Sequence, residues 1–133
     1  MNLNRKIREI MARDPRYKVE AYEFVFRALD YTMEQLDRRN LPDEESRHIS
    51  GRELLEGIRD YALQQFGYLA RFVFDRWGVR TTDDFGEIVF NLVENELLKK
   101  RPEDAREDFR GVYDFAEALD GAALDGVVWE ADS

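Results

Sequence analysis

His48 is the only histidine of the chain, and Glu45 stands three positions before it. That one-turn spacing is the one by which carboxylate-bridged di-iron bundles hold their metals. Such sites need a second motif and two further glutamates on facing helices. Here one motif stands alone, in a polar segment (Asp43-Glu44-Glu45-Ser46-Arg47-His48) that reads as loop. A zinc site meets the same obstacle, since without cysteine only carboxylates remain to complete it. His48 is therefore read as a cap or brace for the turn ahead of the next helix. Ser50 is the nearest hydroxyl, and a serine nucleophile needs an oriented base. Yet Ser50-Gly51-Arg52-Glu53 is a capping box, which accounts for the serine without catalysis. Asp83-Asp84, or Glu94 with Glu96, could serve acid–base chemistry, but 29 acidic residues make such pairs commonplace. Gly51, Gly57 and Gly67 lack the spacing and the preceding strand of a phosphate loop. No catalytic, cofactor-binding or metal-binding residue is assigned, no cofactor is implied, and the balance is against an enzyme.

A nucleic-acid role has a sharper structural basis and a clear objection. Helices starting near Ser50, Leu69 and Thr81 are separated by tight turns, as in a helix-turn-helix or winged-helix module. The Thr81–Leu98 helix would then enter the major groove by its N-terminal end. Its first turn, Thr81-Thr82-Asp83-Asp84-Phe85-Gly86-Glu87, places acids where phosphates would lie. The formal net charge of −9 also opposes phosphate binding, which depends on Lys and Arg. Local basic clusters exist at Arg5-Lys6-Arg8, Arg38-Arg39 and Lys99-Lys100-Arg101. Acidic residues surround all three, so they read as solvated faces.

The elements that must position these groups are helical. With 133 residues, 44% of them hydrophobic, the chain has the length of one domain and the composition of a filled core. Leu3, Ile7, Ile10 and Met11 predict a first helix to about Arg13, broken by Asp14-Pro15. Asp14 is expected to cap a second helix, from Pro15 or Arg16 to about Arg39, striped by Tyr22, Val25, Phe26, Leu29, Met33 and Leu36. Leu54, Leu55, Ile58, Tyr61, Ala62 and Phe66 form the buried face of the Ser50 helix, which Gly67 ends. Leu69, Phe72, Val73, Phe74 and Trp77 make a short aromatic helix, stopped by Gly78 and expected at the centre of the core. Thr81 or Thr82 caps the next helix, with Phe85, Ile88, Val89, Leu92, Val93 and Leu97 inward and Lys99-Lys100-Arg101 at its negative end. The fold class is mostly α: a compact single-domain bundle of about five helices over residues 1–120. A winged-helix-like arrangement of 50–115 is one option, with a small irregular or two-stranded element after Leu98. Residues 121–133 read as a flexible tail, apart from a Val127-Val128-Trp129 contact.

The segments HISGRELLEGIRDYALQQFG, RWGVRTTDDFGEIVFNLVENELL and REDFRGVYDF, with the N-terminal DPRYKVEAYEFVFRALDYT, resemble a family of short, uncharacterised bacterial proteins best represented in Planctomycetes and Verrucomicrobia. The resemblance covers about Ile7 to Leu119. It implies an intact single domain of intracellular bacterial origin, and it carries over no activity, cofactor or catalytic residue. The chain has neither the unbroken apolar run of a bilayer span nor that of a secretion signal, and no cysteine, so a cytoplasmic setting is expected. The favoured function is a small non-enzymatic protein-interaction or regulatory module, with a protein partner or self-association. Phe24, Phe74, Tyr113–Phe115 and Val127–Trp129 are its candidate apolar contacts. The alternatives are a winged-helix-type nucleic-acid-associated regulator and a small enzyme or ligand-binding domain.

Overall fold

The structure, a computed structural model, describes residues 3–121. Six α-helices run in order: α1 Leu3–Arg13, α2 Val19–Gln35, α3 Glu44–Arg47, α4 Gly51–Phe66, α5 Ala70–Arg76 and α6 Thr82–Glu94. They form one mostly helical, compact domain. The helix beyond the five expected is α3. Its single turn exists because Asp43 Oδ1 accepts from the Ser46 amide at 2.7 Å. Among the described residues there is no strand. The chain after α6 is irregular, with a 3-10 turn at Arg106–Phe109 and a π-helical turn at Ala116–Gly121. The irregular option therefore replaces the two-stranded one. The expected Val127–Trp129 contact lies outside the described residues.

Helix α2 starts later than Pro15, because Asp14 is not free to cap it. Its carboxylate accepts from Arg16 Nε and Nη2 at 2.8 and 2.7 Å, and from Asn91 Nδ2 at 3.0 Å. The connector is instead tied to α5, with the Lys18 amide donating to the Trp77 carbonyl at 3.1 Å. Both α2 and α6 also end earlier than expected, for one shared reason. At the end of α2, Asp37 adopts φ 57°, its amide donates to Glu34 O, and the Arg38 amide donates to Met33 O. At the end of α6, Glu96 adopts φ 63°, its amide donates to Val93 O, and the Leu97 amide donates to Leu92 O. These are Schellman caps, the same bonding that Gly78 and Val79 make behind α5. Gly78 advertises such a stop; Asp37 and Glu96 do not.

The core lies between α2 and α4, the helix pair in most extensive contact. They approach closely because Gly57 has no side chain: a Cβ there would overlap the Thr32 hydroxyl, which donates instead to Ala28 O at 2.7 Å. Phe24, 3% exposed, is the hub of the aromatic packing. Its ring centroid lies 5.4 Å from those of Tyr61, Phe74 and Trp77, and 5.9 Å from that of Phe66. The expectation that α5 is the central element is overturned. Only Ala70 and Phe74 of that helix are buried, and Phe72 points outward. Seven residues with apolar groups all round cannot bury both faces against one neighbouring layer.

Candidate functional site

Around His48 the structure separates the groups that the sequence placed side by side. Ser50 Oγ accepts from the Glu53 amide at 3.1 Å, and Glu53 Oε1 accepts from the Ser50 amide at 3.0 Å, so the capping box is formed. Arg38 grips the same carboxylate with both terminal nitrogens, at 2.8 and 2.6 Å, and Nη1 also donates to the His48 carbonyl at 2.8 Å. The Arg38 guanidinium, helped by the Ser50 amide, draws the Glu53 carboxyl down to about 2. The His48 imidazole faces Asp104, with Nε2 2.7 Å from Oδ2, and makes no directed hydrogen bond there. Glu45 faces Arg101 at 3.4 Å, so Glu45 and His48 do not share a target. Among the described residues no three His, Asp or Glu side chains converge as a metal site would require.

His48 does line a cavity of about 370 Å³. Leu29, Met33, Leu54, Val89, Val93 and Leu98 supply apolar walls, and Arg47, Lys100, Asp104 and Asp108 belong to its polar lining. A lining that combines apolar with charged side chains suits a small amphipathic molecule. Ser50 lines the same cavity, but its hydroxyl is held as a helix cap.

The acidic first turn of α6 holds the fold together. Tyr17 donates to Asp84 Oδ1 at 2.6 Å, and the Arg80 amide donates to Oδ2 at 2.9 Å. Burial first, and then Asp84, push the Tyr17 phenol far above its ordinary range. Asp83 accepts from the Gly111 amide at 3.0 Å. Thr81 takes the N-cap position as expected, and Asp84 Oδ2 accepts from its amide at 3.2 Å, whereas Thr82 turns inward. Thr82, fully buried, donates to the Phe109 carbonyl at 2.7 Å and accepts from the Val112 amide at 3.1 Å. Nor do the other carboxylates meet as a pair: Glu94 faces Arg106 at 3.5 Å, while Glu96 closes the helix. Within the basic clusters, Arg38 pairs with Glu53, Arg39 with Asp30, Lys99 with Glu44, and Arg101 with Glu45 and Glu103.

The apolar residues expected to mark a contact surface are mostly core: Phe24, Phe74 and Phe115 are buried. Tyr113 is half-buried, its hydroxyl donates to Leu55 O at 2.5 Å, and burial raises its pKa. The exposed apolar face lies elsewhere, at Tyr68 (62% exposed), Leu69 (49%) and Phe72 (60%). It borders an open groove of about 560 Å³ whose floor includes Val79 and Phe115. Arg71 binds Asp120 at 2.8 and 2.6 Å on one wall, and Arg80 pairs with Asp75 at 2.9 Å on another. Arg76 sits over the Phe72 ring at 6.0 Å and makes no ion pair among the described residues. The spacing separates two faces without saying which is buried: Ala70 and Phe74 share one side of α5, while Phe72 stands exposed beside Tyr68 and Leu69 of the 3-10 turn Gly67–Leu69. Known protein families, curated proteins and solved structures contain no match to the chain.

Proposed function

We propose that the protein is a small non-enzymatic interaction module whose contact surface is the Tyr68–Leu69–Phe72 face. The observation that carries this reading is the exposure of three large apolar side chains together beside an open groove. Arg76, which makes no ion pair among the described residues, favours a polypeptide segment with two or three apolar side chains and a flanking carboxylate. A cytoplasmic, bacterial setting and kinship with the short bacterial family accompany this proposal. No helix among the described residues is long and apolar enough to cross a membrane. The test is affinity purification of the full chain from its native cell, beside the Leu69→Ser/Phe72→Ser double variant. A protein retained by the parent and lost by the variant is expected. Equal retention by both, or recovery of nucleic acid alone, would overturn the reading.

A second reading, a small ligand-binding domain or enzyme, draws on the apolar cavity beside His48. It requires that some member of a panel of small apolar acids and amines raise the Tm of the parent and leave Val89→Trp, which fills the cavity, unmoved. Equal shifts in both proteins would remove it. A winged-helix-type nucleic-acid regulator is the lesser alternative, since no strand stands among the described residues to form a wing.

A further inference from the structure

We propose that the cavity lined by His48 binds a small aliphatic carboxylate, its chain against the apolar wall and its carboxylate against Arg47 and Lys100. The inference rests on the second reading, of this cavity as a ligand site, and it names the charge and class of the ligand.

Volume sets the size. At about 30 Å³ for each water-sized group, a cavity of about 370 Å³ holds a chain of roughly eight carbons with its carboxylate. The wall sets the apolar part. Leu29 and Met33 come from α2, Leu54 from α4, Val89 and Val93 from α6, and Leu98 from the chain that follows. All but Leu54 are half-buried, which leaves aliphatic surface for a ligand chain to take from water. Charge decides the head group. Of the carboxylates lining the cavity, Glu44 is held by Lys99 at 3.0 Å, Asp104 accepts from the Arg101 amide at 2.8 Å, and Asp108 accepts from the Ala105 amide at 3.0 Å. Arg47 and Lys100 are different. They donate only to main-chain carbonyls, those of Leu41 at 2.6 Å and Arg101 at 3.1 Å, and neither makes an ion pair among the described residues. Arg47 stands one turn after Glu44 on α3, and Lys99 first, then Arg47, hold the Glu44 carboxyl below its ordinary range. Arg47, Lys99 and Lys100 thus set three cations against the one carboxylate of Glu44. Cations left over beside an aliphatic wall match an acid rather than an amine. The net charge of −9 slows the approach of an anion, but the groups in the cavity decide what stays bound.

The test titrates octanoate, octylamine and octanol into the full chain, with its methionine methyl groups labelled with carbon-13 and read by NMR. Met33 lines the cavity and Met11 lies on α1, outside the lining, and Met33→Leu assigns the signals. Octanoate is expected to move the Met33 signal, to leave Met11 in place, and to bind about tenfold or more tightly than octylamine. From hexanoate to octanoate the affinity should rise about fourfold for each added methylene. Arg47→Gln/Lys100→Gln should weaken octanoate about tenfold or more and leave octanol unchanged. Lys100→Gln alone, where the side chain holds a single carbonyl, should show part of the same loss in a protein that melts with the parent. Octylamine bound as tightly as octanoate, or octanoate bound unchanged by the double variant, overturns the proposal and leaves the cavity a ligand site of another class. A Met33 signal unmoved by all three compounds removes the proposal and the ligand reading together.

Discussion

Phe24 is 3% exposed and meets the rings of Tyr61, Phe66, Phe74 and Trp77, whereas Phe72 stands 60% exposed over a groove. Removing the first ring leaves a cavity among rigid neighbours, so Phe24→Ala should cost about 3–5 kcal/mol. Phe72→Ala should stay within about 0.5 kcal/mol. Urea unfolding of the two variants measures this contrast, and a large loss in Phe72→Ala would show that the ring is part of the core. Glu53 gives a prediction in pH. Its folded value, near 2, lies below the 4.5 of a free glutamate, so the unfolded chain takes up the proton first. The stabilisation is thus complete above about pH 5 and is lost as the pH falls through about 2. Solvent still reaches the Arg38–Glu53 pair, which limits the contribution to about 1–2 kcal/mol. The stability gap between parent and Glu53→Gln should therefore be widest near neutral pH and narrow steadily in acid.

Helix ends explain most of what could and could not be read from the sequence. The start of α4 was legible because its signal is local: Ser50 and Glu53 lie one turn apart, and their bonds need nothing else. The stop of α5 was legible at Gly78, where φ is 90°. The ends of α2 and α6 use the same cap with an acidic residue in the left-handed position, at a conformational cost that only the packed fold repays. Glu96→Gly should relieve that cost and stabilise the protein by roughly 0.5–1 kcal/mol, part of the gain being offset by a freer unfolded chain. A thermal melt decides the sign, and a lower Tm would mean that the Glu96 side chain contributes a contact of its own. Tertiary approach hid the rest. Nothing near Gly57 in sequence announces Thr32, and nothing near Leu69 tells which of two apolar faces α5 turns to water. The candidate site suffered most, because its exposed triad sat inside a pattern that also describes a core helix.

On the scale of the whole molecule, residues 95–121 are held without long helices of their own. The Phe109 ring fills a slot between α4 and α6 that two glycines leave open: a Cβ on Gly51 would come within 2.8 Å of the ring, and one on Gly86 within 2.7 Å of the Phe109 Cβ. Tyr113 reaches Leu55, and Thr82 clamps both sides of the turn at Arg110–Gly111. Such an arrangement opens as a unit, since once the ring leaves its slot none of the other bonds can stay aligned. In deuterium exchange the Gly111 and Val112 amides should therefore behave like a helical ladder, although they lie in an irregular stretch. They should also lose protection together in Thr82→Val, which abolishes the acceptor for Val112. Independent decay of the two amides would show that the stretch is held piecemeal. If they move together, the segment is a latch closed by one hydroxyl, and the molecule carries a low-energy excited state in which the Phe109 slot stands empty.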